Sequence, residues 1–290
     1  MKEVKNTNEL INYLISKGVK VNNIEIAKEN IENYTYYGIV NTYKEIFKNK
    51  DNTYKNNVSF EEIFALYKFD MNIKAIFLKY ILEIELIIKS KIANLFTEKY
   101  GIKDYLDINN FENNSKNTNK ITELINNINS DIDNNYLRHD ALAHYKNNYG
   151  FIPMFVLIKT LSFGTISRFY GLMKQRDQQK ISKTFGIPSN ALKQILKNLT
   201  FVRNISAHSD RLYSYRYKYT ISISSFNKTY KLPNNTNNLY VMILSIKQLL
   251  SNEKYEKFKN EFDIELKKLS QALKSISIKE ISNIMGIVDE

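Results

Sequence analysis

Apolar residues recur at three- and four-residue steps through most of the chain, and polar, asparagine-rich stretches separate the runs. That period is the mark of amphipathic helices. The strongest run opens at Ser59-Phe60-Glu61-Glu62, a capping box with serine at the N-cap and glutamate three residues on, and Gly101 closes it. Between these limits Ile63, Leu66, Tyr67, Ile73, Ile76, Phe77, Tyr80, Ile81, Ile84, Ile87, Ile88 and Ile92 give an apolar face wide enough for the centre of a bundle. The spacing predicts a helix, in one or two pieces, to about Tyr100. Ahead of it, Leu10, Ile11, Leu14 and Ile15 predict a helix over 7–16 stopped by Gly18. A second begins near Asn23 and covers 24–33, and a further helical pattern runs through Ile46-Phe47. Lys48 to Asn57 is polar and reads as a loop.

Beyond Gly101, Asp104 to Asn135 is a polar insertion with a helical segment near 120–128. Pro153 marks the entry to a helix over 154–173, where Ser162, Gly164, Thr165 and Ser167 are small enough to permit close helix contact. A short helix over 175–185 ends at Gly186-Ile187-Pro188. Ser189 is then a plausible N-cap, and Leu192, Ile195, Leu196, Leu199, Val202 and Ile205 form the buried stripe of a helix expected over 189–213. Closing helices are expected over 239–250, 254–273 and 276–284. Between them, Thr220-Ile221-Ser222-Ile223 and Thr229-Tyr230-Lys231-Leu232 suit at most one small β-hairpin. The expected architecture is one mainly α domain over 1–290. An N-terminal helical layer spans 7–57, a core bundle spans 59–213, and the hairpin with the closing helices spans 214–290.

Candidate chemistry gathers on the helix of 189–213. Asn204, His208, Arg211 and Tyr215 follow at steps of four, three and four, a common face if the helix continues. Arg203 lies about 140° around an ideal helix from His208, within reach of a long side chain. Cutting RNA without a metal needs a proton taken from the ribose 2′-hydroxyl, a proton given to the leaving 5′-oxygen, and stabilisation of the extra charge at phosphorus. Histidine serves either proton transfer, and the guanidinium fork matches phosphate oxygens. Asn204 would orient the imidazole or the phosphate. One imidazole does not readily act as acid and base in the same step, so a second copy of the chain, a homodimer, is expected to complete the site.

Arg211-Leu212-Tyr213-Ser214-Tyr215-Arg216-Tyr217-Lys218-Tyr219 alternates aromatic and basic residues. In an extended strand, Tyr213 and Tyr215 would stack on RNA bases while Arg216 and Lys218 hold phosphates. The competing reading packs the tyrosines on the bundle. Arg168 faces phosphate or solvent. Glu85, set inside the central apolar run, either pairs with a basic residue of the 189–213 helix or orients Arg203 or His208 from behind.

Composition narrows the classes. The 290 residues are 43% hydrophobic and contain no cysteine and three histidines, His139, His144 and His208, too scattered to suggest a zinc site. No cofactor and no metal are expected. No glycine-rich phosphate loop or dinucleotide fingerprint is present. A net charge of +12 favours a polyanionic partner such as RNA, although an asparagine- and lysine-rich surface carries such a charge without one. The N-terminus lacks an apolar signal segment, and the run around Ile84 to Ile88 is far below membrane length, so a cytoplasmic protein with no membrane partner is expected.

Three ordered blocks carry a family resemblance. Arg203-Asn204-Ile205-Ser206-Ala207-His208-Ser209-Asp210-Arg211-Leu212-Tyr213 resembles the Arg-Asn-x-x-Ala-His-x-x-Arg-Leu-Trp signature of the Abi family of abortive-infection, phage-resistance proteins. His144-Tyr145, Pro153 and Leu161-Ser162-Phe163-Gly164-Thr165-Ile166-Ser167-Arg168 are similar to its His-Tyr, Pro and Leu-Ser-Phe-Gly-Thr-Leu-Ser-Arg blocks. Tyr67-Lys68-Phe69-Asp70 with Ile84-Glu85 resembles its Tyr-x-x-Asp and Ile-Glu helix. Tyr213 stands in place of the usual Trp, Asn72 and Ile73 in place of Leu-Arg, and Lys89 in place of a common arginine. That family is similar to the HEPN superfamily, whose Arg-x(4 to 6)-His motif marks metal-independent ribonucleases. The resemblance implies a HEPN-like helical bundle with helical extensions at both ends and a phage-defence endoribonuclease with Arg203, Asn204 and His208 at its centre. The alternative is a non-catalytic module that holds one structured RNA, which in turn keeps the protein silent.

Overall fold

The computed structural model describes residues 5–208, 210–217 and 237–287. It is mainly α, and among the described residues no strand forms beyond isolated bridges. The expected hairpin, with Lys218, lies outside the described residues.

Helices α1 (Thr7–Ser16) and α2 (Ile24–Tyr34) begin at Asn6 and Asn23, whose side chains accept the amides of Glu9 and Ile26. The helical pattern expected to run through Phe47 breaks into a π turn over Tyr37–Asn41 and a 3-10 turn over Lys44–Phe47. Thr35, at φ +63°, bends the chain out of α2, and its hydroxyl takes the Gly38 amide.

The axis of the molecule is α3 (Phe60–Tyr100), a single unbroken helix of 41 residues, about 60 Å long. The Ser59–Glu62 capping box starts it and Gly101, at φ +79°, stops it, as the sequence predicts. Its first turn is tied to both chain ends. Glu61 accepts the amides of Asn22 and Asn23 from the α1–α2 connection. Glu62 accepts the amides of Lys274 and Ser275, both at 2.6 Å.

Burial alone would push the Glu62 carboxyl up, but the Ser275 and Lys274 amides, the Ser275 hydroxyl and the Ser59 amide outweigh it and hold the group below the ordinary carboxylate range. A carboxylate depressed in the folded state contributes stability that is complete above its unfolded value of about 4.3 and is lost as pH falls through the folded one. We expect the Lys274 and Ser275 amides to lose hydrogen-exchange protection only as pH falls below about 4.3, and to do so ahead of the core of α3. Equal protection loss in a Glu62→Gln variant at neutral pH would assign the effect to this carboxylate.

Helices α4 (Thr118–Asn135), α5 (Asp140–Tyr149), α6 (Met154–Leu157), α7 (Phe163–Leu172) and α8 (Gln175–Lys183) follow. The helix expected over 154–173 is broken in two. Thr160 bonds back to the Leu157 carbonyl at 2.8 Å, and Ser162 caps a fresh helix by accepting the Thr165 amide at 3.1 Å. Then come α9 (Ser189–Ala207), α10 (Leu239–Leu249), α11 (Asn252–Ala272) and α12 (Ile278–Met285).

The core forms where α9 and α11 pack on α3, with α7, α8 and α10 around α9. All of Leu192, Ile195, Leu196, Leu199, Val202 and Ile205 are buried, as their period requires. Phe258 and Phe262 of α11 meet Phe77 edge to face, and Phe258 meets Tyr80 in the same way. The small residues of α7 let it approach α9 closely: a methyl on Gly164 would lie 3.6 Å from Thr200, one turn before Arg203.

Candidate active site

The helix that carries the motif ends sooner than its periodicity predicts. α9 stops at Ala207, and His208 is its C-cap in extended backbone, φ −126° and ψ −178°. The cause lies far along the chain. Asp70, fully buried on α3, accepts the Leu212 amide at 3.1 Å and the Tyr213 amide at 2.7 Å. A continued helix would give those two amides to the carbonyls of residues 208 and 209. Capture by a carboxylate unwinds the turn between, so Arg211 and Tyr215 do not extend the face of Asn204.

Asp70 joins three parts of the molecule. It also accepts the Tyr43 hydroxyl at 2.8 Å, from the N-terminal layer, and faces Lys74 at 3.5 Å, one turn along α3. Lys74 is as deeply buried, at 2% exposure. Burial pushes the Asp70 carboxyl up, against the opposing pull of Lys74, the two amides and the Tyr43 hydroxyl. The Tyr213 ring stacks on Tyr43 at a centroid distance of 6.1 Å, and its hydroxyl is pushed up to about 12, chiefly by burial. Periodicity alone does not single out Asp70. Its signal is a carboxylate between Phe69 and Ile73 on an otherwise apolar face, which requires a buried set of donors.

Around the end of α9 the three motif side chains are presented outward. Asn204 and His208 are exposed and Arg203 is half-buried. Among the described residues, none of the three side chains makes a hydrogen bond or an ion pair. A guanidinium, an amide and an imidazole are therefore all available to a ligand at one end of one helix.

The other expected contacts lie elsewhere. Arg211 donates to the Thr42 carbonyl at 2.8 Å and Arg216 to the Ile284 carbonyl at 2.8 Å, so both fasten the segment after α9 to the bundle. Tyr213 and Tyr217 are buried and Tyr215 is half-buried, which is the packed arrangement rather than an open row of rings. Arg168 pairs with Glu123 of α4 at 3.0 Å on the surface. Glu85 takes Lys89 of its own helix at 2.7 Å, not a cation of α9, and Lys89 reaches the Lys159 carbonyl. His144 has Asn148 at 3.0 Å from its Nδ1 and lies edge-on to Tyr145 and Tyr149.

The described residues thus form a helical bundle threaded by one long helix, with an Arg-Asn-x-x-x-His array at the end of α9 and the segment that follows it held to α3 by a buried aspartate. The chain belongs to the Abi-like protein family, whose model matches residues 29–214. The match begins within α2 and ends just past the two amides held by Asp70. Membership supports a role in phage abortive infection. No curated protein and no solved structure matches the chain. No helix among the described residues is long and apolar enough to cross a membrane.

Proposed function

We propose that this Abi-like protein acts in phage defence as a metal-independent endoribonuclease of the HEPN type. The observation that carries the reading is the set of Arg203, Asn204 and His208, turned outward at the end of α9 and unengaged by any other described side chain. In the reaction the ribose 2′-oxygen attacks phosphorus and the bond from phosphorus to the 5′-oxygen breaks. His208 moves either the proton leaving the 2′-hydroxyl or the proton arriving at the 5′-oxygen. Arg203 stabilises the added charge on the phosphate oxygens, and Asn204 holds the imidazole or the phosphate in line. The products carry a 2′,3′-cyclic phosphate and a 5′-hydroxyl. The remaining proton transfer calls for a second imidazole, which a second copy of the chain supplies in a homodimer.

The test is incubation of total RNA with the protein in excess EDTA, followed by mapping of fragment ends. Cyclic-phosphate and 5′-hydroxyl ends, with protection of any site bearing a 2′-deoxy sugar, are expected. Intact RNA together with tight retention of one co-purified RNA would replace this reading with that of a non-catalytic RNA-holding module.

A further inference from the structure

Aromatic rings reach the surface close to the segment that follows α9. Tyr34, at the end of α2, is 39% exposed, and Phe64 and Tyr67 of α3 are half-buried against it. The Tyr34 ring lies 5.4 Å from Tyr67 and 6.1 Å from Phe64, centroid to centroid. Tyr67 meets Tyr43 edge-on at 5.7 Å, and Tyr43 stacks in turn on Tyr213. One turn beyond Tyr67, Asp70 holds the Leu212 and Tyr213 amides. His208 stands four residues before Leu212, at most about 14 Å of extended chain. The ring cluster is therefore a neighbour of the proposed cut site.

The backbone that presents Tyr34 is strained. Thr35 follows it at φ +63° and ψ +145°, a conformation that favours glycine, and the π turn over Tyr37–Asn41 comes next. Strained residues and π turns gather at ligand clamps and other functional sites. A cation completes the surface. Lys68 is exposed, makes no ion pair among the described residues, and holds its ammonium 5.8 Å from the Tyr34 ring centroid. The carboxylates of α2, Glu25, Glu29 and Glu32, lie about 140–180° around an ideal helix from Tyr34. On the α3 side Glu61 is held by Asn22 and Asn23, and Glu265, which reaches Asn72 one turn beyond Lys68, is paired with Lys268. An exposed ring with an unpaired cation over it suits a nucleobase on its face and the adjoining phosphate on the ammonium.

We propose that Tyr34, backed by Phe64 and Tyr67, stacks on one base of the RNA strand a few nucleotides from the cut, with Lys68 on the neighbouring phosphate. The proposal rests on the RNA-cutting reading of Arg203, Asn204 and His208, and its test separates the two. The chain contains no tryptophan, so Tyr34→Trp keeps a stacking ring and places a single fluorophore in the cluster. In the full chain carrying His208→Ala, titration with a single-stranded RNA is expected to quench that emission to saturation, whereas an oligomer of abasic sugar–phosphate units leaves it unchanged. Tyr149→Trp, at an exposed position on α5, should keep its emission with either oligomer. By anisotropy of a labelled RNA, Tyr34→Leu, which packs without offering a π face, is expected to weaken binding roughly tenfold, and Tyr34→Phe to bind like wild type. Lys68→Gln, at an exposed position, should reduce the log–log salt slope by about 0.7.

With His208 restored, Tyr34→Leu should raise KM and leave kcat unchanged. Quenching confined to the Tyr34→Trp variant supports the platform even if the wild-type protein cuts nothing, in which case only the nuclease reading falls. Cleavage that depends on His208, with no quenching in the Tyr34→Trp variant or with Tyr34→Leu binding as tightly as wild type, overturns the platform alone. Emission of the Tyr34→Trp variant that changes with protein concentration before any RNA is added also overturns it, because the rings would then cover a second copy of the chain.

Discussion

Replacing His208 with alanine is expected to lower the rate of RNA cleavage by about two to four orders of magnitude, the usual contribution of a positioned acid or base, while RNA affinity stays near wild type. The structure makes this substitution unusually easy to interpret. His208 is exposed, caps α9 with its backbone alone, and has no side-chain partner among the described residues, so its removal should leave stability unchanged. Arg203→Lys keeps the charge but loses the planar fork, and it should lose turnover more than affinity. Single-turnover cleavage with enzyme in excess, alongside anisotropy binding, reads both quantities on the same protein. An alanine variant that cuts at the wild-type rate would remove His208 from the chemistry, and a variant that loses binding in step with cleavage would make it a contact residue instead.

Where local rules decide the structure, the chain can be read directly. The limits of α1, the start of α3 at Ser59 and its stop at Gly101 follow from capping chemistry and two glycines, Gly18 and Gly101, and all lie where the sequence predicts them. The buried stripe of α9 follows from its period alone. The break inside 154–173 depends on Ser162 competing as an N-cap within an apolar run, a choice that helix propensity alone cannot make. The end of α9 is harder still. Leu212 stands seven residues after Ile205, so the apolar period carries straight through His208. What stops the helix is Asp70, 142 residues earlier than Leu212 in the chain.

The misplaced site residues share one physical cause. Alternating tyrosines and cations serve equally to stack on bases and hold phosphates, or to pack on a bundle and tie down a loop. Tyr213 finds Tyr43, and Arg211 finds the Thr42 carbonyl, both from the N-terminal layer. Arg203, Asn204 and His208 are singled out in the sequence by residue type and close spacing. Whether such side chains remain unengaged is a property of the assembled surface. Tyr67-x-x-Asp70 and Arg211-Leu212-Tyr213, far apart in the sequence, meet in the structure, where the Asp70 carboxylate accepts the Leu212 and Tyr213 amides.

Asp70→Ala is expected to cost about 3–5 kcal/mol, a large part of the roughly 5–15 kcal/mol that stabilises a typical domain. The loss has an identifiable origin. Lys74, at 2% exposure, would be left with no carboxylate beside it, and the Tyr43 hydroxyl and the Leu212 and Tyr213 amides would lose their common acceptor. Urea unfolding should show the midpoint falling without a change in slope. Asp70→Ala/Lys74→Met removes the orphaned cation and should regain part of that stability, since an apolar side chain of similar length fills the space of the ammonium. The tether to the segment after α9 would still be absent. The double variant therefore separates two roles of one carboxylate. If Asp70 positions the site, the protein refolds but cleaves RNA with a reduced kcat, because the backbone that carries His208 out of α9 is no longer held. If the double variant recovers both stability and full turnover, Asp70 serves the fold alone, and the end of α9 must be shaped by Tyr213 packing on Tyr43.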